Sequence, residues 1–260
     1  STRTRLAEIL QARGELDAAA EQLATANVLR PDLITGLLMQ ARLSFDRGDW
    51  NGALQQLDAI DERTSTRPEQ RDGWLRAYIE MLRVLGRLRA AEPLIDEWIN
   101  LRQSIDPLAS QPTHYVSYAG LKFQLYGEAG ARAWLAKAPL VPEAHLQAYY
   151  ASTGDAALAL EMRNVKSLRA ARDALMAAYA AMGQLGAERA ISHWDAYAKF
   201  FDQEAKLSVS QAQAVVNEFA RLVRSGMQTE SNLVLVKYLA IENALDQQDG
   251  DAARTWLTEL

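Results

Sequence analysis

The sequence has no cysteine among its 260 residues and only three histidines, His114, His145 and His193. Without cysteine the chain can form no disulfide, no thiolate metal site and no cysteine nucleophile. The histidines occur neither in an HExxH pattern nor at the spacing of paired helical metal ligands, so we expect no metal and no cofactor. The phosphate loops GxxxxGK[ST] and GxGxxG and the nucleophile motif GxSxG are also absent. We therefore predict that the chain is not an enzyme.

Basic charge and long apolar runs are scarce as well. The net charge is −5 and the pI about 5.4, whereas nucleic-acid-binding proteins usually carry a basic face, so we expect no direct nucleic-acid contact. The longest apolar runs are as short as Leu233–Val236, far from the roughly 20 residues of a membrane span, so we expect no membrane insertion. The chain begins at Ser1 without methionine and stops in mid-pattern at Leu260, which indicates a fragment of a longer protein.

A repeat is present in the first hundred residues. Gly14 and Gly48 are 34 residues apart, and each precedes an alanine by five residues and a leucine by nine. These residues are Ala19 and Leu23 in the first unit and Ala53 and Leu57 in the second. Glycine can end a helix in the left-handed conformation, and a small residue soon after it allows a second helix to pack closely on the first. Gly86 follows with a step of 38, because the polar segment 61–72 lengthens the preceding connection. The pattern predicts helix pairs.

Further turns are predicted with looser spacing. Gly127 is followed by Arg132 where a small residue belongs, and Gly154, Gly183 and the segment 249–251 provide the later turns. Residues 203–230 have helical periodicity without a clear turn. Apolar residues recur at three- and four-residue spacing nearly everywhere, which indicates helices and no strands.

The 34-residue pattern resembles the tetratricopeptide repeat (TPR) family, most closely over residues 1–100. The resemblance implies an all-α, right-handed α-solenoid of antiparallel helix pairs with about 14–15 helices and an irregular second half. We predict regular repeats over 1–102, a loop over 103–113 and degenerate repeats continuing the same array over 114–260. The alternative is two globular helical domains joined near that proline-containing loop.

In the TPR family the first helix of each pair lines a concave groove, so the resemblance also implies a binding surface. The residues that it directs inward are Leu38, Arg42, Phe45, Arg76, Glu80, Arg83, His114 and Gln124. Three of them form an arginine stripe that could hold an acidic peptide, although ordinary helix arginines paired with nearby carboxylates are the alternative. We find no carboxylate clamp of the chaperone-binding type.

Aromatic residues are predicted mainly as core. Trp194, Tyr197 and Phe201 share one helical face, and a partner anchor is the alternative for them. The other tryptophans are predicted to be buried between repeats; they are Trp50, Trp74, Trp98, Trp134 and Trp256.

Together these features predict a non-catalytic scaffold that binds a partner protein or peptide, with self-association possible in principle. A narrower hypothesis is a bacterial exopolysaccharide-export scaffold of the cell envelope, which favours the periplasm over the cytoplasm. The alternatives are a regulatory TPR domain of a signalling protein or transcription regulator, and an enzyme with a helical-toroid site.

Overall fold

The computed structural model describes residues 2–30, 33–64, 67–105, 112–183, 187–202, 204, 206–225, 228 and 230–258. These residues form 13 helices and no strand, which confirms the predicted all-α, solenoid-like class. The helices are α1 (Thr2–Ala12), α2 (Leu16–Leu29), α3 (Ile34–Asp46), α4 (Trp50–Thr64), α5 (Pro68–Val84), α6 (Leu88–Ile105), α7 (Pro112–Leu135), α8 (Ala144–Glu161), α9 (Val165–Ala181), α10 (Ala187–Phe201), α11 (Val209–Arg224), α12 (Glu230–Asp246) and α13 (Gly250–Thr258).

The first three turns form where the sequence predicts them. Gly14, Gly48 and Gly86 have φ values of +76°, +83° and +69°, a region in which a side chain would be strained. Asp49 then accepts a hydrogen bond from the backbone N–H of Gly52 at 3.0 Å and so caps the start of α4. The short connections make the helices of each pair antiparallel, as α1/α2, α3/α4 and α5/α6.

The small residues after these turns allow the close packing that the pattern predicts. The three alanines five residues beyond the turn glycines are all fully buried; they are Ala19, Ala53 and Ala91. Neighbouring pairs are joined through tryptophan. Trp74 of α5 donates its indole N–H to the Leu57 carbonyl of α4 at 2.8 Å. Within the third pair, Trp98 of α6 donates to Asp72 of α5 at 2.7 Å.

The chain divides into two compact units, Ser1–His114 and Tyr115–Leu260. The predicted loop 103–113 is shorter at both ends than expected. Residues 103–105 belong to the last turn of α6, and 112–113 begin α7. Residues 106–111 lie outside the described part of the chain.

Gly127 ends one helix and begins the next within α7. Its φ and ψ of 68° and −169° are non-helical, so α7 consists of two helices and the described total becomes 14. The turn is one residue tighter than in the first three pairs, and the small buried position falls on Ala131. Arg132 therefore points to solvent, where it pairs with Glu128 at 2.8 Å and Asp155 at 3.2 Å.

The predicted turn at Gly154 is wrong. Gly154 lies inside α8, where an added Cβ would be 3.2 Å from Cδ1 of Leu135, so the glycine permits close helix packing. The turn falls instead at Arg163, which has a φ of +49° and is followed by the N-cap Asn164. Arg163 is 36 residues after Gly127, so the repeat length is kept although the glycine is lost.

The last turns are also partly displaced. Gly183 has the predicted left-handed φ of +67°, but it follows α9, the second helix of the pair α8/α9, and so connects pairs. In the final turn the left-handed residue is Gln248, with a φ of +61°, whereas Gly250 is the first residue of α13. Asp249 caps α13 by accepting a hydrogen bond from Ala252 N–H at 3.0 Å.

Most aromatic predictions are confirmed. Of the five tryptophans predicted to lie between repeats, four are at most 5% exposed: Trp74, Trp98, Trp134 and Trp256. Trp194 and Tyr197 are buried in the core of the second unit, with Phe201 packed against that core. Trp50 was predicted to be buried but is 53% exposed, because it is the first residue of α4 and begins the helix beside the turn.

Candidate binding grooves

The first unit has an open pocket of about 470 Å³, which we call groove 1. It lies on α1, α3 and α5, the first helices of three consecutive pairs, which adjoin one another as α1 with α3 and α3 with α5. Apolar side chains of Leu38, Met39 and Ala77 line it together with the charged Arg42 and Asp46. The structure therefore brings two of the predicted site residues, Leu38 and Arg42, to one surface.

The charges in groove 1 are partly paired within the protein. Arg42 Nε is 3.8 Å from Asp46 Oδ1, and Gln11 donates to Asp46 Oδ2 at 2.6 Å from the neighbouring α1. The Arg42 side chain remains 60% exposed. It can therefore reach a ligand without first leaving a buried ion pair.

The other predicted residues of the first unit are outside the described lining of groove 1. Phe45 is half-buried, and Arg76 and Glu80 are exposed on α5. Arg83 Nη1 lies 3.3 Å from Glu80 Oε2, one helical turn away. Two of the three arginines of the predicted stripe thus have a carboxylate on their own helix, as in the alternative interpretation of that stripe.

His114 and Gln124 are positioned by contacts with neighbouring helices. The His114 ring packs edge-on against Trp98 with centroids 4.6 Å apart, and burial, followed by the nearby Arg102 guanidinium, lowers the pKa of His114. Gln124 belongs to the second unit and donates to Glu161 Oε2 at 3.3 Å. The eight predicted residues therefore belong to two different units.

The second unit has a cavity of its own, of about 420 Å³, which we call groove 2. It is lined by the end of α8, by α10 and by α12. α8 pairs with α9 and α12 with α13, whereas α10 packs mainly on α9 and α12. Tyr197 and Phe201 of the predicted aromatic helix contribute to it, with Leu239 and Tyr238 from α12. Each unit thus has a pocket that three of its helices line.

Sequence reasoning missed groove 2, although α12 carries a signal that could have indicated it. Apolar residues occur around the whole circumference of α12, a pattern typical of a buried helix. Nevertheless Leu235, Tyr238 and Leu245 are 51%, 52% and 57% exposed. Exposed apolar residues on such a helix mark a surface that a partner could cover.

Within its described residues the structure contains no group of three or more histidine, aspartate or glutamate side chains that could hold a metal ion. No described helix is both long and apolar enough to span a membrane. No protein-family model matches the sequence, and no curated protein is significantly similar to it.

Proposed function

We propose that this chain is a non-catalytic protein-interaction module of the TPR type that binds a peptide segment of a partner protein in groove 1. The observation that carries the proposal is the position of that pocket on the first helices of three consecutive pairs. Leu38 and Arg42, two of the residues that sequence reasoning directs into a groove, both line it. Fold alone would not justify a function, so the proposal depends on this surface.

The lining of groove 1 suits a peptide better than a compact small molecule. The pocket is open, and its apolar side chains from α3 and α5 are flanked by Arg42 and Asp46. An apolar anchor residue of a peptide would bury Leu38 and Ala77, while the charged side chains, which include Glu8, would orient its polar neighbours. Because both signs of charge are present, we do not restrict the partner to acidic peptides.

A filled groove provides the test. Peptides that bind the full chain would be selected from a random display library and measured by fluorescence anisotropy against Ala77→Leu, which adds three carbons inside groove 1. Ala90→Leu, on the exposed surface of α6, is the matched control. We expect Ala77→Leu to weaken binding at least about tenfold, since it occupies the anchor position.

Arg42→Ala separates the contribution of charge, with the exposed Arg89→Ala as its control. A loss of about threefold is expected for Arg42→Ala, in keeping with a solvent-exposed ion pair. Selected peptides whose affinity is the same for wild type and Ala77→Leu would show that groove 1 is not the binding site.

We further propose that the module belongs to a larger bacterial protein of the cell envelope, of the exopolysaccharide-export type. The support is the long array of increasingly irregular helix pairs and the arginine-rich composition of the sequence. The complete gene tests this proposal. A gene that encodes neither a secretion signal nor an outer-membrane domain beside these residues would contradict it.

A further inference from the structure

We propose that groove 2 is a second binding site, which accepts a lysine or arginine side chain from an apolar segment of a partner protein. The site lies wholly in the second unit, and its lining contains aromatic side chains, which the described lining of groove 1 does not. The inference therefore does not require the proposed peptide site in the first unit.

The cavity has the size and lining for a long side chain. Its volume of about 420 Å³ is within the range of ligand pockets, and Leu160, Phe201 and Leu239 line it with apolar surface. The methylene stem of a lysine or arginine can pack on such surface while its charged end reaches polar groups at the edge.

The polar groups of groove 2 are mostly hydrogen-bond acceptors. The lining contains the carboxylates of Glu161 and Glu242 and the tyrosines Tyr197 and Tyr238, against a single cationic side chain, Arg163. Tyr197 is only 5% exposed, and its hydroxyl has no hydrogen-bond partner among the described residues. The oxygen itself is closed off from solvent, so Tyr197 shapes the wall of the cavity and its hydroxyl does not bind the ligand.

The charges select a cation over an anion. Arg163 Nη2 lies 2.8 Å from Glu242 Oε2, so the one guanidinium already pairs with one of the two carboxylates. The other, Glu161, accepts a hydrogen bond at 3.3 Å from the neutral amide of Gln124. The lining therefore keeps a formal charge of −1. An ammonium or guanidinium group donates to Glu161 and neutralises that charge, whereas an anion is repelled by it.

The exposed stripe of α12 identifies the ligand as part of a protein. Leu235, Tyr238 and Leu245 lie on one face of the helix, and the span from the first to the last is about 15 Å at 1.5 Å per residue. A free amine would cover little of this stripe. A segment of several residues fills the cavity with its basic side chain and covers the apolar stripe of α12 with the apolar residues on either side of it.

The test uses the full chain and a set of blocked 12-residue peptides that share leucine and serine flanks and differ only at a central Lys, Arg, Gln or Glu. In fluorescence anisotropy we expect the Lys and Arg peptides to bind about tenfold more tightly than the Gln and Glu peptides. Glu161→Gln, which keeps its size, should weaken the Lys peptide about fivefold and leave the Gln peptide unchanged. The exposed Glu143→Gln is the matched control and should change neither.

Tyr197→Phe removes a hydroxyl that solvent does not reach, so the affinity for the Lys peptide should change by less than about twofold. Equal affinity for the Lys and Gln peptides, or undetectable binding of the Lys peptide at about 1 mM, would overturn the inference. Equal losses in Glu143→Gln and Glu161→Gln would also overturn it, as would butylamine that competes as well as the peptide. Loss of Lys-peptide binding in Ala77→Leu would place that peptide in groove 1, which contradicts this inference and leaves the proposed function intact.

Discussion

The turn at Gly48 allows the cost of a left-handed backbone to be measured almost alone. An alanine Cβ at this position would have no heavy atom within 4 Å, so Gly48→Ala introduces no steric clash. The residue has a φ of +83°, and the substitution therefore acts through backbone strain. Few core or capping contacts confound the result, since Asp49 and Gly52 keep their hydrogen bond.

The magnitude follows from two opposing effects. A residue with a side chain costs about 1–2 kcal/mol in the left-handed region. Glycine is more flexible in the unfolded chain, so its replacement returns about 0.5–1 kcal/mol. We expect Gly48→Ala to lower the free energy of unfolding by about 1 kcal/mol net.

Gly250→Ala is the matched control because its Cβ also meets nothing within 4 Å, yet it begins α13 outside the left-handed region. At Gly250 the substitution only reduces the conformational freedom of the unfolded chain, so we expect it to raise the free energy of unfolding by about 0.5 kcal/mol. Gln248→Gly should also stabilise the last pair, since it relieves the strain of a φ of +61°.

Urea unfolding followed by far-UV circular dichroism gives the total change, and native-state hydrogen exchange resolves it by helix pair. The local measurement matters because repeat arrays can open one unit at a time. A neutral Gly48→Ala, or a Gly250→Ala as destabilising as Gly48→Ala, would refute the assignment of left-handed residues.

Three further outcomes are expected. Tyr197→Phe should keep or raise the free energy of unfolding, because the buried hydroxyl that it removes has no partner among the described residues. Tyr78→Phe should lower it by about 1 kcal/mol in urea unfolding, because it loses a 2.7 Å hydrogen bond to a carboxylate. Arg71→Ala should lower the free energy of unfolding by about 2 kcal/mol, since its guanidinium pairs with two carboxylates and lies 4.1 Å from a tryptophan ring centroid. Arg5→Ala removes a side chain that is 79% exposed and should lower it by less than about 0.5 kcal/mol in the same assay. Burial lowers the pKa of His114 in the folded chain, so protonation favours the unfolded state; stability should fall as the pH drops through 6.5, and His114→Gln should flatten that dependence in pH-resolved melting curves.

The regular half of the fold could be predicted because its information is local. At Gly14, Gly48 and Gly86 the turn residue, the small residue and the larger apolar residues recur within about 15 positions, so each turn is specified by its own neighbours. The helix class and the burial of most tryptophans follow from the same periodicity. Trp50 differs because it begins a helix, where one side has no preceding turn to cover it.

The turn at Arg163 could not be predicted because glycine serves two physical purposes. Gly154 is needed for the approach of Leu135, a contact between different helices that a local pattern does not reveal. Arg163 adopts the left-handed conformation without being glycine, and the Asn164 N–H closes the turn by donating to the Ala159 carbonyl at 2.9 Å, so no residue type marks the turn in the sequence. Its guanidinium pairs with Glu242, 79 residues later in the chain.

The same distinction separates the two grooves. Leu38 and Arg42 lie four residues apart on one helix that begins a regular pair, so the repeat phase alone directs both into groove 1. Groove 2 brings together Tyr197 of α10 and Glu242 of α12, which are 45 residues apart. The 34-residue spacing of the first repeats is already lost in this part of the sequence. A composition signal remains, because α12 is apolar on faces that the fold leaves exposed. In α12 the excess of apolar residues over what the fold buries therefore points to the proposed groove 2, which the place of the helix in the repeat does not.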